Sequence, residues 1–275
     1  MAWSIGAVQM RLPLPSPGPD ATREQARLDA LARYGVLDTP AEASFDRLTR
    51  LTKRIFGVSM STMSFIDGHR QWFKSQQGLG ASETDRAPAF CNVTIQQPAT
   101  LIIPDATADE RFATNPFVVG EPYVRFYAGV PLRSSDGHAI GTLCAFDPRP
   151  RVFSQQDNET LADLGGVAMD ILELRRRASA GKTGAIPGES FEPSLAREFA
   201  HGRSVLKAGR IIFNNSRAAV RCTVRQLSPE NAVIHVINTA KIPDRVALLI
   251  DADAMSRLCS VTSRAEQHLA LAFES

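Results

Sequence analysis

A strand–turn–strand pattern over residues 125–147 constrains the fold of this 275-residue chain more than any other feature. Arg125 to Leu132 is rich in aromatic and β-branched residues, which favour strands. Ser134 to Gly137 ends in Asp-Gly, a pair that tolerates the positive φ of tight hairpin turns. Ile140 to Phe146 supplies the second strand. The pattern predicts an antiparallel hairpin around which a first domain is organised.

Two glycines interrupt this hairpin. Gly129 and Gly141 lie inside the predicted strands. Glycine at such a position commonly marks a β-bulge, or a close approach by a ligand or another backbone. We favour the bulge for both positions.

Periodic apolar residues predict helices on either side of the hairpin. The first begins at Thr22, with Gln25 completing a capping box, and the second spans Ala41 to Phe56. A third spans Ser154 to Arg177, with apolar residues at the spacing of a helical seam: Leu161, Leu164, Ala168 and Ile171. Because these side chains would otherwise be left at the domain edge, the seam predicts a parallel homodimer through residues 154–177.

The segments between the second helix and the hairpin predict further strands. Val58 to Ile66 and Gln71 to Gln76 form a second hairpin about the turn Asp67 to Arg70. Leu101 to Ile103 is a short buried strand. Gly78 to Pro88 is polar and predicts an irregular loop, and a loop of this length is often functional.

A change of composition marks a second domain. Residues 178–193 are rich in Ser, Gly, Pro, Lys and Thr and predict a flexible linker. Short strand-like segments with turn signals between them follow, a pattern typical of a small antiparallel barrel: residues 210–213, 219–226, 232–237, 246–250, 259–263 and 269–273. The fold class is therefore α+β. We divide the chain into a disordered lead-in (1–21), a first domain (22–178), a linker (179–195) and a second domain (196–275).

Composition and charge exclude several classes of protein. The formal net charge is +2, which argues against nucleic acid as a partner, because nucleic-acid-binding domains carry a strong basic footprint. No apolar run approaches the ~20 residues of a membrane span, and the N-terminus lacks the basic region of a signal peptide. The four cysteines form no C-x-x-C pair, and the five histidines lack ligand spacing. We therefore predict reduced thiols, no metal and a cytoplasmic location.

Ordered blocks over residues 24–178 resemble a bacterial GAF domain. ERFATNP, RFYAGVPL and DG-x-x-x-GTLC-x-x-D occur in that order, after DGHRQWFKS, Gly78-Leu79 and Phe90-Cys91. The resemblance implies an antiparallel sheet flanked by helices that senses a small molecule or dimerises. It specifies no particular ligand.

Residues 197–275 resemble a PilZ domain. The similarity is carried by four segments: Arg203 to Ile211, Cys222 to Ser228, Ile242 to Asp244 and Leu271 to Phe273. PilZ domains often bind cyclic di-GMP, and the resemblance places that nucleotide site on four residues: Arg203, Lys207, Arg210 and Ser228.

The nucleotide-binding motifs of that resemblance are incomplete in this chain. Lys207 stands where the second arginine is expected, and lysine lacks the planar fork that meets phosphate bidentately. Gln226 replaces a short Asp or Asn, and Asn231 replaces a glycine. We therefore predict that cyclic di-GMP does not bind at cellular concentrations.

A ligand pocket is expected on the sheet face of the first domain, closed by the loop from Gly78 to Asn92. Its candidate ligand-binding residues are Cys91, Arg125, Tyr127, Gly129 and Cys144. The two cysteines are interpreted as small buried residues, since no basic residue is placed to lower a thiol pKa. No cofactor is predicted. A bilin chromophore is not expected because Val93 stands where similar proteins carry histidine.

The charged residues at the hairpin ends have a structural interpretation. Arg125 and Asp147 flank the central hairpin, and Asp67 and Arg70 flank the earlier one. We expect all four to satisfy turns and strand ends.

The sequence as a whole predicts a non-enzymatic cytosolic signalling adaptor. The GAF-like domain senses an unknown small ligand or dimerises, and the PilZ-like domain relays the signal to a protein partner. Two alternatives stay open. One is a cyclic di-GMP receptor, and the other is a GAF-type, thiol-dependent methionine sulfoxide reductase that uses Cys91 and Cys144.

Overall fold

The computed structural model describes residues 19–180, 203–213 and 218–274. The predicted lead-in up to residue 18, the predicted linker from residue 181, the start of the second domain and the turn at 214–217 lie outside the described residues. No helix in the described ranges is long and apolar enough to cross a membrane.

The first domain is built on one six-stranded antiparallel sheet with the order β3-β2-β1-β6-β5-β4. Its strands are β1 Met60–Ile66, β2 Arg70–Gln77, β3 Glu83–Asp85, β4 Leu101–Ile103, β5 Phe126–Arg133 and β6 Ala139–Asp147. The central hairpin is confirmed, with β5 and β6 paired from Phe126 opposite Asp147 onwards. The prediction of an irregular loop over 78–88 missed β3, because Glu-Thr-Asp is too short and too polar to show a strand pattern.

Helices cover both faces of the sheet. The five helices of this domain are α1 Pro19–Ala32, α2 Ala43–Ile55, α3 Phe90–Thr94, α4 Pro116–Val119 and α5 Gln155–Ala180. The helices α1, α2 and α5 share one hydrophobic core with one sheet face, and α3 and α4 share a second core with the other face. α1 begins three residues before the predicted Thr22, whereas the cap of α5 is as predicted, with the Asp157 N–H donating to Ser154 Oγ at 3.1 Å.

The apolar stripe of α5 lies against the chain's own sheet. Leu161 and Ala168 are fully buried in the first core, together with Leu172. Gly165 lies so close to β5 that a Cβ there would sit 2.8 Å from Val130 Cγ1. The stripe is therefore an inner face, and the reason given for a dimer seam is wrong. The homodimer itself stays a prediction.

The two hairpin glycines have different causes. Between β5 and β6 the register passes from Leu132–Gly141 to Arg133–Ala139, which leaves Ile140 as an extra residue. A bulge beside Gly141 is therefore present. Gly129 instead pairs in continuous register with Cys144, so the bulge predicted at Gly129 is wrong.

The second domain is a closed antiparallel barrel with the order β10-β11-β12-β9-β8-β7, as predicted. Its strands are β7 Arg203–Phe213, β8 Ala218–Leu227, β9 Asn231–His235, β10 Arg245–Ile250, β11 Met255–Arg264 and β12 His268–Phe273. β10 pairs with both β11 and β7, which closes the barrel. A 3-10 turn over Asp251–Asp253 links β10 to β11.

The barrel contacts the first domain through α1 and the turn between β1 and β2. Leu206 of β7 is buried in the first domain's core, and the Gln25 amide donates to its carbonyl oxygen at 3.0 Å. Gly68 lies so near β7 that a Cβ would sit 3.0 Å from the Ala208 Cα. The two domains therefore share packed surface.

Candidate functional site

A cavity of about 60 Å³ lies on the sheet face that α3 and α4 cover. Its walls come from β1, β2, β3, α3, α4, β5 and β6 and their connections, and are mainly aromatic and aliphatic. The lining residues are Thr62, Gln71, Phe73, Leu79, Thr84, Ala89, Phe90, Cys91, Phe117, Pro122, Val124, Tyr127, Cys144 and Phe146. None of them is a charged residue, and burial raises the pKa of the Tyr127 phenol well above its usual value. The cavity lining therefore contains no Asp, Glu, Lys, Arg or His side chain.

Two polar atoms face this cavity without a hydrogen-bond partner in the described part of the chain. They are Gln71 Oε1 and Thr84 Oγ1. Gln71 and Thr84 are cross-strand neighbours on β2 and β3, and Gln71 is only 7% exposed. Leaving a buried polar group unpaired costs about 1–3 kcal/mol. The pair is thus suited to a bound molecule that donates or shares a hydrogen bond.

Two thiols also line the cavity, within a network of buried hydroxyls. The Sγ atoms of Cys91 and Cys144 lie 3.7 Å apart. Thr62 Oγ1 lies 2.9 Å from the Cys144 sulfur, and the Tyr127 hydroxyl lies 3.5 Å from the Cys91 sulfur and 2.7 Å from Thr94 Oγ1. These polar contacts hold both thiols in fixed positions.

The two thiols differ in how readily they ionise. Burial favours the neutral form of each, but hydrogen bonds from Cys144, Thr142, Tyr127 and others lower the pKa of Cys91 below its usual value. Burial, together with the neighbouring Cys91, raises the pKa of Cys144 well above its usual value. Cys91 is therefore the thiol of the pair that ionises first.

Gly129 shapes the wall near these thiols although it is not a lining residue. A Cβ at Gly129 would overlap the hydroxyl of Tyr127, whose side chain folds back across it. The missing side chain therefore lets the Tyr127 hydroxyl reach Thr94 and Cys91. The glycine marks a close approach by the chain's own tyrosine.

The structure brings three of the five predicted pocket residues together. Cys91, Tyr127 and Cys144 line the cavity, whereas Arg125 and Gly129 do not. Arg125 donates to the Val118 carbonyl oxygen at 2.8 Å and so holds α4 in place. The expectation that Arg125 satisfies a strand end is confirmed, as it is for Asp147, which accepts from the Ser59 N–H at 2.9 Å.

Sequence reasoning missed Gln71 and Thr84. Gln71 reads as an ordinary strand residue beside Trp72, and Thr84 lies in a segment predicted as loop. The alternation of β2, which places Gln71 and Phe73 on one face, was the only available signal.

A second polar cluster joins the two domains at the turn between β1 and β2. His69 Nδ1 lies 2.6 Å from Thr223 Oγ1, His235 Nδ1 lies 3.1 Å from His69 Nε2, and Arg70 Nη1 lies 3.2 Å from His235 Nε2. His268 packs edge-on against His235 at 4.8 Å between ring centroids. We call His69, His235 and His268 the interface histidines.

The order of donors in this cluster requires that His69 and His235 are neutral. Arg70 can only donate, so His235 accepts at Nε2 and donates from Nδ1 to His69, which in turn donates to Thr223. Burial lowers the pKa of all three interface histidines, that of His268 to about 4. Protonation of His69 or His235 would place two donors face to face.

Carboxylates surround Arg70 on its other sides. Its guanidinium donates to Asp67 Oδ2 at 2.9 Å and to both Asp38 oxygens at 2.7 and 2.9 Å, and it is paired with Glu83. The pairing continues into the barrel, where Arg225 contacts Asp38 and Gln267 donates to Glu83 at 3.1 Å. The Asp67 carboxylate also caps its own turn by accepting from the His69 and Arg70 N–H groups. The predicted turn role is confirmed, and the contact with the barrel was not predicted.

No metal centre accompanies these histidines. Over the described residues, no group of three or more His, Cys, Asp or Glu side chains is arranged to hold a metal ion.

The predicted nucleotide site of the barrel is flanked by acidic residues. Lys207 is paired with Asp253 at 2.7 Å, and Arg210 with Asp251 at 2.7 Å. Both carboxylates lie on the 3-10 turn, so an incoming phosphate would have to displace them. Ser228 is engaged in its own turn, where its hydroxyl accepts from the Asn231 N–H at 2.9 Å. Arg203 is exposed at the start of β7.

Residues 40–170 match the family model for the GAF domain. The chain therefore contains a GAF domain, as its motifs predicted. A curated relative, a cyclic di-GMP phosphodiesterase of Pseudomonas aeruginosa, is 37% identical over 132 residues. That match covers 48% of this chain and 22% of the relative, so the chain spans about a fifth of the relative's length.

Two solved structures illustrate the structural matches. The GAF domain of an Acinetobacter phosphoenolpyruvate-protein phosphotransferase is 17% identical, with a TM-score of 0.42 over 56% of this chain and 98% of that domain. A free methionine-R-sulfoxide reductase of Neisseria meningitidis, solved with its substrate, is 20% identical, with a TM-score of 0.43 over 59% and 96%.

Proposed function

We propose that this chain is a non-enzymatic signalling adaptor whose GAF domain binds a small neutral molecule and whose barrel relays occupancy to a protein partner. The observation that carries the proposal is that two atoms facing the cavity, Gln71 Oε1 and Thr84 Oγ1, lack hydrogen-bond partners in the described part of the chain. A ligand that restores their hydrogen bonds removes a cost of about 1–3 kcal/mol for each group.

The lining defines the chemistry of that ligand. An anionic group in this cavity would lose its hydration without gaining a cationic partner, which is strongly unfavourable. A neutral molecule with an apolar body would contact Phe73, Phe90 and Phe117, and its N–H or O–H group would donate to Gln71. Zwitterions and phosphates are therefore disfavoured.

The strand pair β2–β3 supplies a route from the cavity to the barrel. Gln71 and Thr84 face the cavity, whereas the adjacent residues Arg70 and Glu83 point to the other face and contact the barrel. A ligand that shifts the register or twist of this pair would change the contacts of Arg70 with His235. The interface cluster would thus respond to occupancy.

Native mass spectrometry of the full chain purified from its own host tests ligand binding directly. We expect a retained neutral molecule, which is then identified and titrated calorimetrically. Gln71→Leu should weaken its binding about tenfold, the equivalent of one hydrogen bond. Gln155→Leu, at an exposed position on α5, is the matched control. Equal affinity of both variants would contradict the proposed site.

The relative's name and the PilZ resemblance together favour one alternative, a cyclic di-GMP receptor. Against it, Lys207 and Arg210 are already paired with carboxylates, which would repel a dianion. We expect calorimetry on the full chain to find no saturable binding with a Kd below roughly 10 µM. Such a Kd corresponds to a binding free energy of about −7 kcal/mol. Saturable binding that Arg203→Ala abolishes would make the chain a second-messenger receptor.

The methionine sulfoxide reductase alternative is disfavoured by charge. Free methionine sulfoxide is a zwitterion, and the cavity lining offers no cationic side chain for its carboxylate. We expect no thiol-dependent reduction of free methionine sulfoxide by the full chain. Turnover that is lost in the Cys91→Ser, Cys144→Ser variant would overturn this proposal.

We further propose a homodimer through the outer face of α5. The inner stripe is occupied by the sheet, so the candidate contacts are Val167 and Leu174, which are 47% and 65% exposed. Sedimentation of Leu174→Glu should show a monomer, with Val152→Glu, at an exposed site outside the helix, as control. A monomeric unsubstituted chain would contradict the proposed dimer.

A further inference from the structure

We propose that Cys91 and Cys144 form a redox modification site in which a hydroperoxide oxidises the pair to a disulfide across the cavity wall. The two sulfur atoms are 3.7 Å apart, and bond formation must bring them to about 2.05 Å. Cys91 lies on α3, a helix of five residues, and Cys144 on the central strand β6. Because α3 is a single short turn, it can move toward the sheet more easily than β6 can leave it.

The cavity connects these buried thiols with the protein surface. Its lining runs from the partly exposed Leu79, Phe117 and Pro122 to the fully enclosed thiols. A volume of about 60 Å³ exceeds the roughly 10–15 Å³ that one water molecule requires. Hydrogen peroxide is little larger than water and is uncharged, so it suits the neutral lining.

The hydrogen-bond pattern assigns the first step to Cys91. Its thiol loses a proton to water, and the thiolate attacks one peroxide oxygen, because the thiolate is the nucleophilic form. The O–O bond breaks, Cys91 becomes a sulfenic acid, and the departing hydroxide takes up a proton to become water.

The second step uses Cys144. Its sulfur attacks the sulfur of the Cys91 sulfenic acid, the S–S bond forms, and the S–O bond breaks. The hydroxyl leaves as water with the Cys144 proton. Overall, two thiols and one hydrogen peroxide give one disulfide and two waters, so the sulfurs are oxidised and the peroxide is reduced.

The chain carries its own control in the barrel. Burial raises the pKa of Cys259 to about 11 and that of Cys222 further. Neither of these thiols lines the cavity. They should therefore stay reduced under conditions that oxidise the cavity pair.

The test treats the reduced full chain with hydrogen peroxide and counts free thiols after denaturation. Four free cysteines are present at the start, and we expect loss of two, full recovery with a dithiol reductant, and a Cys91–Cys144 cross-link in peptide mapping. In Cys144→Ser, Cys91 should accumulate as a sulfenic acid that a carbon-acid probe labels. In Cys91→Ser, Cys144 should stay unlabelled.

Three results would overturn the proposal. One is retention of four free thiols under peroxide that oxidises a reference dithiol. Another is a cross-link that involves Cys222 or Cys259. The third is equal labelling of the two serine variants. Peptide mapping of the unsubstituted chain decides the matter even if a variant does not fold, and the outcome does not depend on whether the cavity binds a ligand.

Discussion

Replacement of Arg70 by alanine is the sharpest test of the shared polar cluster. The Arg70 side chain is 1% exposed and pairs with Asp67, Asp38 and Glu83, of which Asp67 is 0% exposed. Burial acts to raise the pKa of the Asp67 carboxyl, but the charge of Arg70 and the hydrogen bond from the His69 backbone N–H hold it well below its usual range. Without Arg70, a buried carboxylate loses its principal counter-charge.

The expected magnitude follows from that loss. Removing one partner of a buried ion pair destabilises a protein by about 3–5 kcal/mol, because the remaining charge stays desolvated. Whole domains are stable by only about 5–15 kcal/mol. Arg70→Ala should therefore lower the free energy of unfolding by about 3–5 kcal/mol. Arg70→Lys keeps one charge without the fork and should lose roughly half as much.

Urea unfolding at pH 7, followed by Trp72 fluorescence, measures the effect. The matched control is Arg111→Ala, which removes an ion pair with Asp109 at 2.6 Å whose arginine side chain is 52% exposed. Such surface pairs contribute about 0–1 kcal/mol. A loss of less than about 1 kcal/mol in Arg70→Ala would refute the argument that this cluster is buried and mutually dependent.

Three further outcomes are expected from urea unfolding. Gly166→Ala should stabilise the chain by up to about 1 kcal/mol, since a Cβ there meets open space. Gly165→Ala should instead destabilise it by about 1–3 kcal/mol, because β5 blocks the new methyl group. Equal effects of the two substitutions would contradict the packing of α5 against β5. Leu172→Ala should cost about 2–5 kcal/mol, and Val152→Ala, at a position 95% exposed and outside the helix, should change stability by less than about 1 kcal/mol; equal effects would contradict the burial of this face of α5. The interface histidines have depressed pKa values in the folded state, so their contribution is complete above pH 6.5 and is lost as the pH falls toward 4. At least about 1–2 kcal/mol should disappear by pH 5, and unchanged stability between pH 7 and pH 5 would contradict neutral interface histidines.

The sequence predicts those parts of the fold whose signal is local. The hairpin of β5 and β6 is an example, because its strand propensity and its Asp-Gly turn are both encoded within one short stretch. The barrel is another, since six short strands with intervening turns permit few arrangements. Tyr127 and Cys144 could be predicted as pocket residues for a similar reason, because they are neighbours on one sheet face, and Cys91 because it lies in the segment 78–92 that closes that face.

The missed features depend on contacts between distant segments. A seam of apolar residues on α5 has the same spacing whether it meets a sister helix or its own sheet, so periodicity could not decide between them. The closeness of Tyr127 to Gly129 depends on one side-chain rotamer. The contact of Arg70 with His235 joins residues 165 positions apart. Nothing local to either residue encodes that contact.

The lengths of β3 and β4 have a consequence for how this protein meets others. These are the two edge strands of the GAF sheet, and each is three residues long. A long open edge invites pairing with a foreign strand, and short edges are one way in which proteins avoid aggregation. A partner that added a strand here would gain only a few main-chain hydrogen bonds. Recognition of this domain must therefore rely on side-chain surfaces, which would let binding specificity diverge while the backbone stays unchanged.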